Sequence, residues 1–458
     1  MQSLSRTIIF SLLCTIMFFT YCSDKNRSEI PWISLQVGNS LDGWEIKGGE
    51  ALYFVEDGVI TGTTVKNTPN TFLTTPNFYG NFILELDFMV DPSMNSGIQI
   101  RSNSFPHYQD GRVHGYQIEI DPSERAWSAG IYDEGRRKWL HPILEDNSAA
   151  KKAFKQNEWN HYRIEAIGDT IKTWINEIPA SHLIDDKTAT GFIGLQVHSI
   201  HGEQKEGTTI SWKNIRILTE NLEKYTRKTP LKPIATKNQL TIDEKKNGWK
   251  MLWDGKTTSG WRGAKLRDFP ENGWEIKEGE LNVLSSGGAE SAAGGDIVTN
   301  ELYGDFELKV DFKLSPGANS GIKYYVDTEI NKGPGSSIGL EYQILDDDLH
   351  EDAKLGSHEG SRTVCSLYDL IQANPKKPIN PIGEWNSAYI LSKENHVEHW
   401  LNGMKVLEYE RESKEFLTLV SESKYAKWPK FGLLENGQIL LQDHGDKVSF
   451  KNIKIKSL

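Results

Sequence analysis

The feature that most restricts the fold of this 458-residue chain is a series of motifs that occurs twice in the same order. Asn81–Phe88 (NFILELDF) returns as Asp305–Phe312 (DFELKVDF), and Asn95-Ser96-Gly97-Ile98 returns as Asn319-Ser320-Gly321-Ile322. Glu158-Trp159-Asn160 matches Glu384-Trp385-Asn386, and Trp174-Ile175-Asn176 matches Trp400-Leu401-Asn402. Gly194–His198 matches Leu440–His444, and Lys213-Asn214-Ile215 matches Lys451-Asn452-Ile453. Self-similarity at an offset of about 225 residues, lengthened only by late insertions, means one domain present twice. The expected division is a leader (1–22), a first domain (30–219), a linker rich in Lys, Thr and Pro (220–246) and a second domain (247–458).

Each copy reads as short alternating strands punctuated by Gly, Asn and Pro, with almost no long helical periodicity. That pattern predicts an all-β fold, a sandwich or jelly roll of two antiparallel sheets in each copy. Gly339–Asp346 (GLEYQILD) is the most telling strand. Leu340, Tyr342 and Ile344 point one way, Glu341 and Gln343 the other, because strand side chains switch faces at every residue. Gly115–Asp121 (GYQIEID) repeats the arrangement with Gln117 and Glu119 in swapped order. Each copy therefore sets one carboxylate and one amide on one sheet face. The swap implies that the copies do not share one substrate or one step.

A net charge of −11 argues against nucleic acid as the main partner. The 14 Trp and 16 Tyr offer flat faces suited to sugar rings, although most would fill a sandwich core. Arg6 followed by the apolar run Thr7–Phe19 reads as an export signal, too short for a comfortable membrane span. Cys22 and a polar tether follow, as in a bacterial lipoprotein signal, with Tyr21 the poorest fit to that pattern. The expectation is export to the periplasm or outer membrane, with a lipid anchor at Cys22; ordinary signal cleavage is the alternative. Beyond the leader only Cys365 remains, so no internal disulfide can form and a buried, inert thiol is expected.

The phrases LWDGK, GDFEL, NSGIKY, GLEYQILD, GEWN, HWLNG and LLQDHG of the second copy resemble the 3-keto-disaccharide hydrolase family. GYQIEID and Ile131–Arg137 (IYDEGRR) of the first copy are similar to a second branch of it. The resemblance spans nearly all of both copies. It implies two tandem concanavalin A-like jelly rolls, bacterial export, and action on sugars oxidised at carbon 3.

Such chemistry has definite requirements. The ketone acidifies the proton on carbon 2, so a general base removes it, a cation or donor holds the enolate, and an acid protonates the departing glycosidic oxygen. Water then adds across the double bond, a route unlike the oxocarbenium path with two flanking carboxylates. In the second copy Glu341 is the expected base, with Gln343 beside it and Lys323 on the enolate, or else merely paired with Glu341. Tyr324 follows Lys323, and Tyr368 is the expected proton donor. His444 completes the catalytic set, while Arg362, Asp369 and Asp443 join Tyr324 and Gln343 as substrate contacts. Glu119 and His198 are the catalytic candidates of the first copy. Gln117, Arg101, Tyr132, Asp133 and Arg136 are its substrate contacts, with Arg136 and Arg137 gripping an oxygen bidentately or pairing with Asp133 and Glu134.

No cofactor is required by this chemistry. Asp346, Asp347 and Asp348 either offer oxygen ligands to calcium or form a solvated loop. His350 and His358 are expected in solvent, and His399 on an outer or cleft face. The Asn-Ser-Gly glycine is expected in a left-handed turn, Glu-Trp-Asn at a strand start with a buried Trp, and Asn402-Gly403 in a hairpin turn. The chain lacks a Rossmann-type glycine fingerprint, so a separate sugar 3-oxidoreductase is an implied partner. The competing reading is a non-catalytic, lectin-like pair of carbohydrate-binding domains, since the jelly roll hosts both functions.

Overall fold

The computed structural model describes residues 30–458 except 37, 288–290 and 292–293, so the leader and Cys22 lie outside the described residues. Two pairs of sheets account for nearly all of it. Strands between Ile33 and Ala235 form a nine-stranded and a seven-stranded sheet; those between Lys250 and Ser457 form an eight-stranded and a five-stranded sheet. Adjacent strands are antiparallel except for Ile234–Ala235, which lies parallel to Leu183–Ile184. The jelly-roll expectation is met in each half.

Alternation explains where the cores sit. In the His114–Ile120 strand, Tyr116, Ile118 and Ile120 are fully buried against Leu84, Leu86 and Phe88 of the facing sheet. In the Ile338–Leu345 strand, Leu340, Tyr342 and Ile344 do the same against Leu308, Val310 and Phe312. Gln117, Glu119, Glu341 and Gln343 must then project from the opposite face, and they do so beneath a cover of loops, each at most 4% exposed.

Register proves the swap. Gly97 opposes Glu119 and Gln99 opposes Gln117; Gly321 opposes Gln343 and Lys323 opposes Glu341. The carboxylate of the second copy is thus displaced by two residues along its strand, roughly 7 Å, relative to that of the first.

The Asn-Ser-Gly glycines do not make left-handed turns. Gly97 and Gly321 lie inside strands, Ser96–Asn103 and Asn319–Asp327. A Cβ on Gly321 would stand 2.2 Å from Glu341 Oε1, and one on Gly97 would stand 2.5 Å from Gln117 Cγ. The glycine is there so that the functional side chain diagonally across the strand pair, Gln117 or Glu341, can lie over it.

Asn402 and Gly403 do turn a hairpin, with φ of 47° and 84°. The tryptophans of Glu-Trp-Asn are half-buried rather than buried, and lysines lie over their rings: Lys213 lies 3.9 Å from the Trp159 ring centre and Lys451 4.0 Å from that of Trp385. It is Asn160 and Asn386 that are buried. The 220–246 stretch packs onto the molecule. Its Ile242–Lys246 helix carries a Thr241/Glu244 capping box, and Glu244 accepts Lys454 (2.7 Å) and Lys309 (3.2 Å) of the second half.

Candidate active site

In the first copy the Gln117/Glu119 face forms the floor of a cavity of about 380 Å³. Glu119 is held there by three donors. Asn95 Nδ2 (2.7 Å) and Arg125 (3.1 Å) donate to Oε1, and Gln117 Nε2 (2.9 Å) donates to Oε2. The amide of Gln117 is itself fixed, since its oxygen accepts from Gln99 (2.6 Å) and Gln196 (2.9 Å). Burial nevertheless outweighs these partners and pushes the Glu119 carboxyl up to about 7. A carboxyl that titrates near neutrality can accept and return a proton at working pH.

The walls supply the other functions. Tyr132 opposes Gln117 on the next strand, and its hydroxyl is pushed up to about 12 by burial and by the charges of Glu134 and Glu119. The His198 ring donates from Nδ1 to the Ser199 carbonyl (2.7 Å), which leaves Nε2 as the lone-pair nitrogen. Burial lowers its pKa, so the ring is neutral. Trp139 packs edge-on against both Tyr132 and Trp127, and Arg125 lies over the faces of Trp127 (4.6 Å) and Trp139 (5.0 Å).

The second copy builds its site around a buried ion pair. Lys323 Nζ lies 3.4 Å from Glu341 Oε2, with the two residues 6% and 4% exposed. Lys323 also donates to Ser336 Oγ (2.5 Å), which in turn bonds the buried Asp296. Gln343, oriented as its neighbours demand, donates to the Ser320 carbonyl (3.0 Å) and to Glu341 Oε1 (3.3 Å), so each copy has an amide serving the carboxylate two residues away. Tyr368 follows the Glu341 backbone, N–H to carbonyl, and its hydroxyl donates to Asp352 (2.9 Å). Burial and the Glu341 charge hold that hydroxyl far above the ordinary tyrosine range.

Several expected contacts lie elsewhere. Tyr324 points into the core, where its hydroxyl meets His399 Nε2 (2.8 Å) and Tyr409 (2.7 Å). His399 is therefore a core residue and not a cleft residue, pushed down to about 4 by burial. Arg101 occupies a strand bulge at φ 46° and donates to the carbonyls of Gly80 and Gly168, both at 2.8 Å. Tyr325 takes the same bulge slot in the second copy and reaches Gly304. Asp133 is fully buried between Arg136 and Arg137, whose charges hold it below the usual carboxylate range. Arg136 is spent on that pair and on Thr188 (2.6 Å), whereas Glu134 pairs with Arg112 (3.4 Å). Asp443 anchors a loop by accepting the N–H groups of Gly294, Gly295 and Gly445. Arg362 and Asp369 pair with one another at 2.8 Å and brace Tyr368, over whose ring the guanidinium lies at 5.1 Å.

The acidic run is spent locally. Asp346 accepts the N–H groups of Gly317, Asp348 and Leu349, and Asp347 takes Lys377 (3.0 Å). Among the described residues His350, His444 and Asp446 form a nitrogen- and oxygen-donor set whose ligand atoms lie within 4.8 Å of one another. His350 Nδ1 already accepts the Asp352 N–H (3.1 Å). His350 is thus not free in solvent, nor is His358, whose Nε2 is buried. Cys365 is buried as expected, its thiol pushed up to about 12.

The sequence reading missed Asn95, Arg125, Trp139 and Gln196 in the first pocket. Asn95 and Gln196 carried a signal, since both belong to repeated motifs. In the second copy it missed Lys424, which opens the 3-10 turn Lys424–Lys427 just after the Lys414–Glu422 helix and lies 4.3 Å from the Tyr368 ring centre. Although the residue is exposed, desolvation lowers its pKa, opposed by the charge of Glu341.

Comparison with known proteins finds several relatives, each matching about half of the chain. A curated relative from Bacteroides thetaiotaomicron, named 3-keto-disaccharide hydrolase, is 39% identical over 240 residues, 48% of this chain and 81% of the relative. A crystal structure from Parabacteroides distasonis ATCC 8503, assigned provisionally as a glycosyl hydrolase, is 34% identical, covers 49% of this chain and 100% of its own, and superposes with a TM-score of 0.43. A second structure from the same strain, similarly assigned, is 28% identical, covers 46% of this chain and 100% of its own, and gives 0.36. The 3-keto-alpha-glucoside-1,2-lyase-like domain matches residues 31–218 and again 248–456, so the chain belongs to that family and carries its domain twice.

Proposed function

We propose that this chain is an exported enzyme that cleaves 3-keto-glycosides by elimination across carbons 1 and 2 followed by hydration. The observation that carries the proposal is Glu119, a buried carboxyl poised near neutrality on the floor of a polar cavity. In the first step a carboxylate takes the carbon-2 proton and the electron pair forms the carbon 1–carbon 2 double bond. The bond from carbon 1 to the glycosidic oxygen breaks, and that oxygen leaves with a proton. In the second step water gives its hydroxyl to carbon 1 and a proton to carbon 2. The sum is hydrolysis. Arg125 in the first pocket and Lys323 in the second are the cations suited to the enolate oxygen; His198, Tyr132 and Tyr368 are suited to proton transfer.

The displaced carboxylates support different steps in the two pockets, because a sugar seated alike in both would meet its base roughly 7 Å apart. A separate oxidoreductase would supply the keto-sugar, and export through residues 1–22 with an anchor at Cys22 belongs to the same proposal. The test is to incubate the protein with a 3-keto-glucoside and with the parent glucoside, following both aglycone and sugar. Release from the keto form alone is expected. Glu119→Gln and Glu341→Gln should then differ in what accumulates. Saturable glycan binding without release would hand the case to the carbohydrate-binding reading.

A further inference from the structure

A second cavity, of about 190 Å³, opens beside the first pocket and shares two of its residues, Asn95 and His198. Its character is different. Pro92, Met94, Pro122 and Ile200 supply an aliphatic lining, where the first cavity has only the aromatic rings of Tyr132 and Trp139 among polar groups. The polar groups among them are largely committed to one another. Asp121 accepts both the hydroxyl (2.6 Å) and the N–H (3.2 Å) of Ser123 through Oδ1, and Arg125 Nε (2.8 Å) and the Trp127 N–H (3.3 Å) through Oδ2. The Ser93 hydroxyl donates to Asp91 (2.6 Å), and Gln204 accepts the His201 N–H (2.9 Å).

We propose that this cavity is the leaving-group subsite of the first pocket, and that it selects an apolar alkyl or aryl aglycone over a second sugar ring. The inference rests on the activity proposed above. Continuity fixes the occupant: a glycoside whose sugar fills the first cavity must direct its aglycone past the residues common to both. His198 stands at that junction, where the glycosidic oxygen would lie. Chemistry fixes the class. A sugar ring would bring hydroxyls to polar groups that are already paired and would lose its bonds to water, whereas a hydrocarbon would lose nothing. The second copy is not built this way, for Asp446 stands two residues beyond His444 where Ile200 stands two residues beyond His198. The subsite therefore assigns bond cleavage to the first copy.

The experiment uses the full chain and a homologous series of alkyl 3-keto-glucosides, whose leaving groups differ in length but hardly in basicity, alongside a 3-keto-disaccharide. We expect kcat/KM for alcohol release to rise roughly fourfold per added methylene until the cavity is filled. The disaccharide should fall below the longer alkyl glycosides. Ile200→Asp, which copies the second half of the chain, should flatten the dependence on chain length, and Pro122→Ser should weaken it if the first variant folds poorly. Release that is independent of chain length, or fastest for the disaccharide, would overturn the subsite while leaving the activity standing. Absence of release from every keto-glycoside would overturn both.

Discussion

Lys323 faces Glu341 directly across an antiparallel strand pair with 3.4 Å between the charged atoms, and the same slot in the first copy holds Gln99 against Gln117 at 2.6 Å. One backbone position thus has two solutions in one chain, ionic in one half and neutral in the other. This suggests a cycle of substitutions. Lys323→Gln or Glu341→Gln alone should destabilise the second domain by about 3–5 kcal/mol, the usual cost of breaking a buried pair. The double variant, which recreates the first copy's Gln–Gln pair, should recover most of that loss. Denaturant midpoints of the four proteins measure the coupling, and additive losses would contradict it.

Glu119 makes the first copy sensitive to alkali. Its folded pKa, about 7, lies above the ordinary value of 4.5, so its stabilising contribution is complete below pH 4.5 and is lost as pH rises through 7. The amount is on the order of 3 kcal/mol. Melting temperatures at pH 5 and pH 8 should differ more for the natural protein than for Glu119→Gln. An unchanged difference would show that another group sets the slope.

His399 acts with the opposite sign in the second copy. Burial lowers it from 6.5 to about 4, so its contribution is present above pH 6.5 and is lost as pH falls through 4. Acid unfolding of the second domain should begin earlier than in a His399→Gln variant compared at equal neutral-pH stability. Hydrogen exchange in the Ile338–Leu345 strand at pH 6.5 and pH 4.5 would reveal it.

Gly321→Ala tests whether the space beside Glu341 is needed for both folding and function. The added methyl meets the Glu341 carboxylate at 2.2 Å and its Cγ at 3.1 Å, so it must displace the buried Lys323–Glu341 pair; it should cost up to about 3–5 kcal/mol, while activity that depends on Glu341 falls by at least ~100-fold in whatever protein folds. Gly97→Ala meets Gln117 nearer its root, at Cγ, and should cost about 1–3 kcal/mol as well. Thermal melts together with turnover distinguish the two.

Tertiary structure overrode local reading wherever a residue type was asked to reveal its surroundings. Tyr324 and His399 look like site residues in sequence because both are polar-tipped and alternate beside charged neighbours. They satisfy each other inside the core instead. Asp133 and Arg136 look like a grip for substrate, yet a fully buried carboxylate needs partners, and Asp133 found Arg136.

By itself the sequence determined the duplication, the sandwich architecture, the two carboxylate–amide faces and their swap. Each of these follows from patterns of order and alternation that strands must obey. Only the tertiary structure decided which loops close over those faces. It brought Arg125 and Trp139 to the first pocket and Lys424 beside Tyr368 in the second copy, made Gly97 and Gly321 the spaces over which Gln117 and Glu341 lie, and buried Glu119 deeply enough to raise its carboxyl to about 7. Burial and proximity are properties of the packed chain, and no local pattern encodes them.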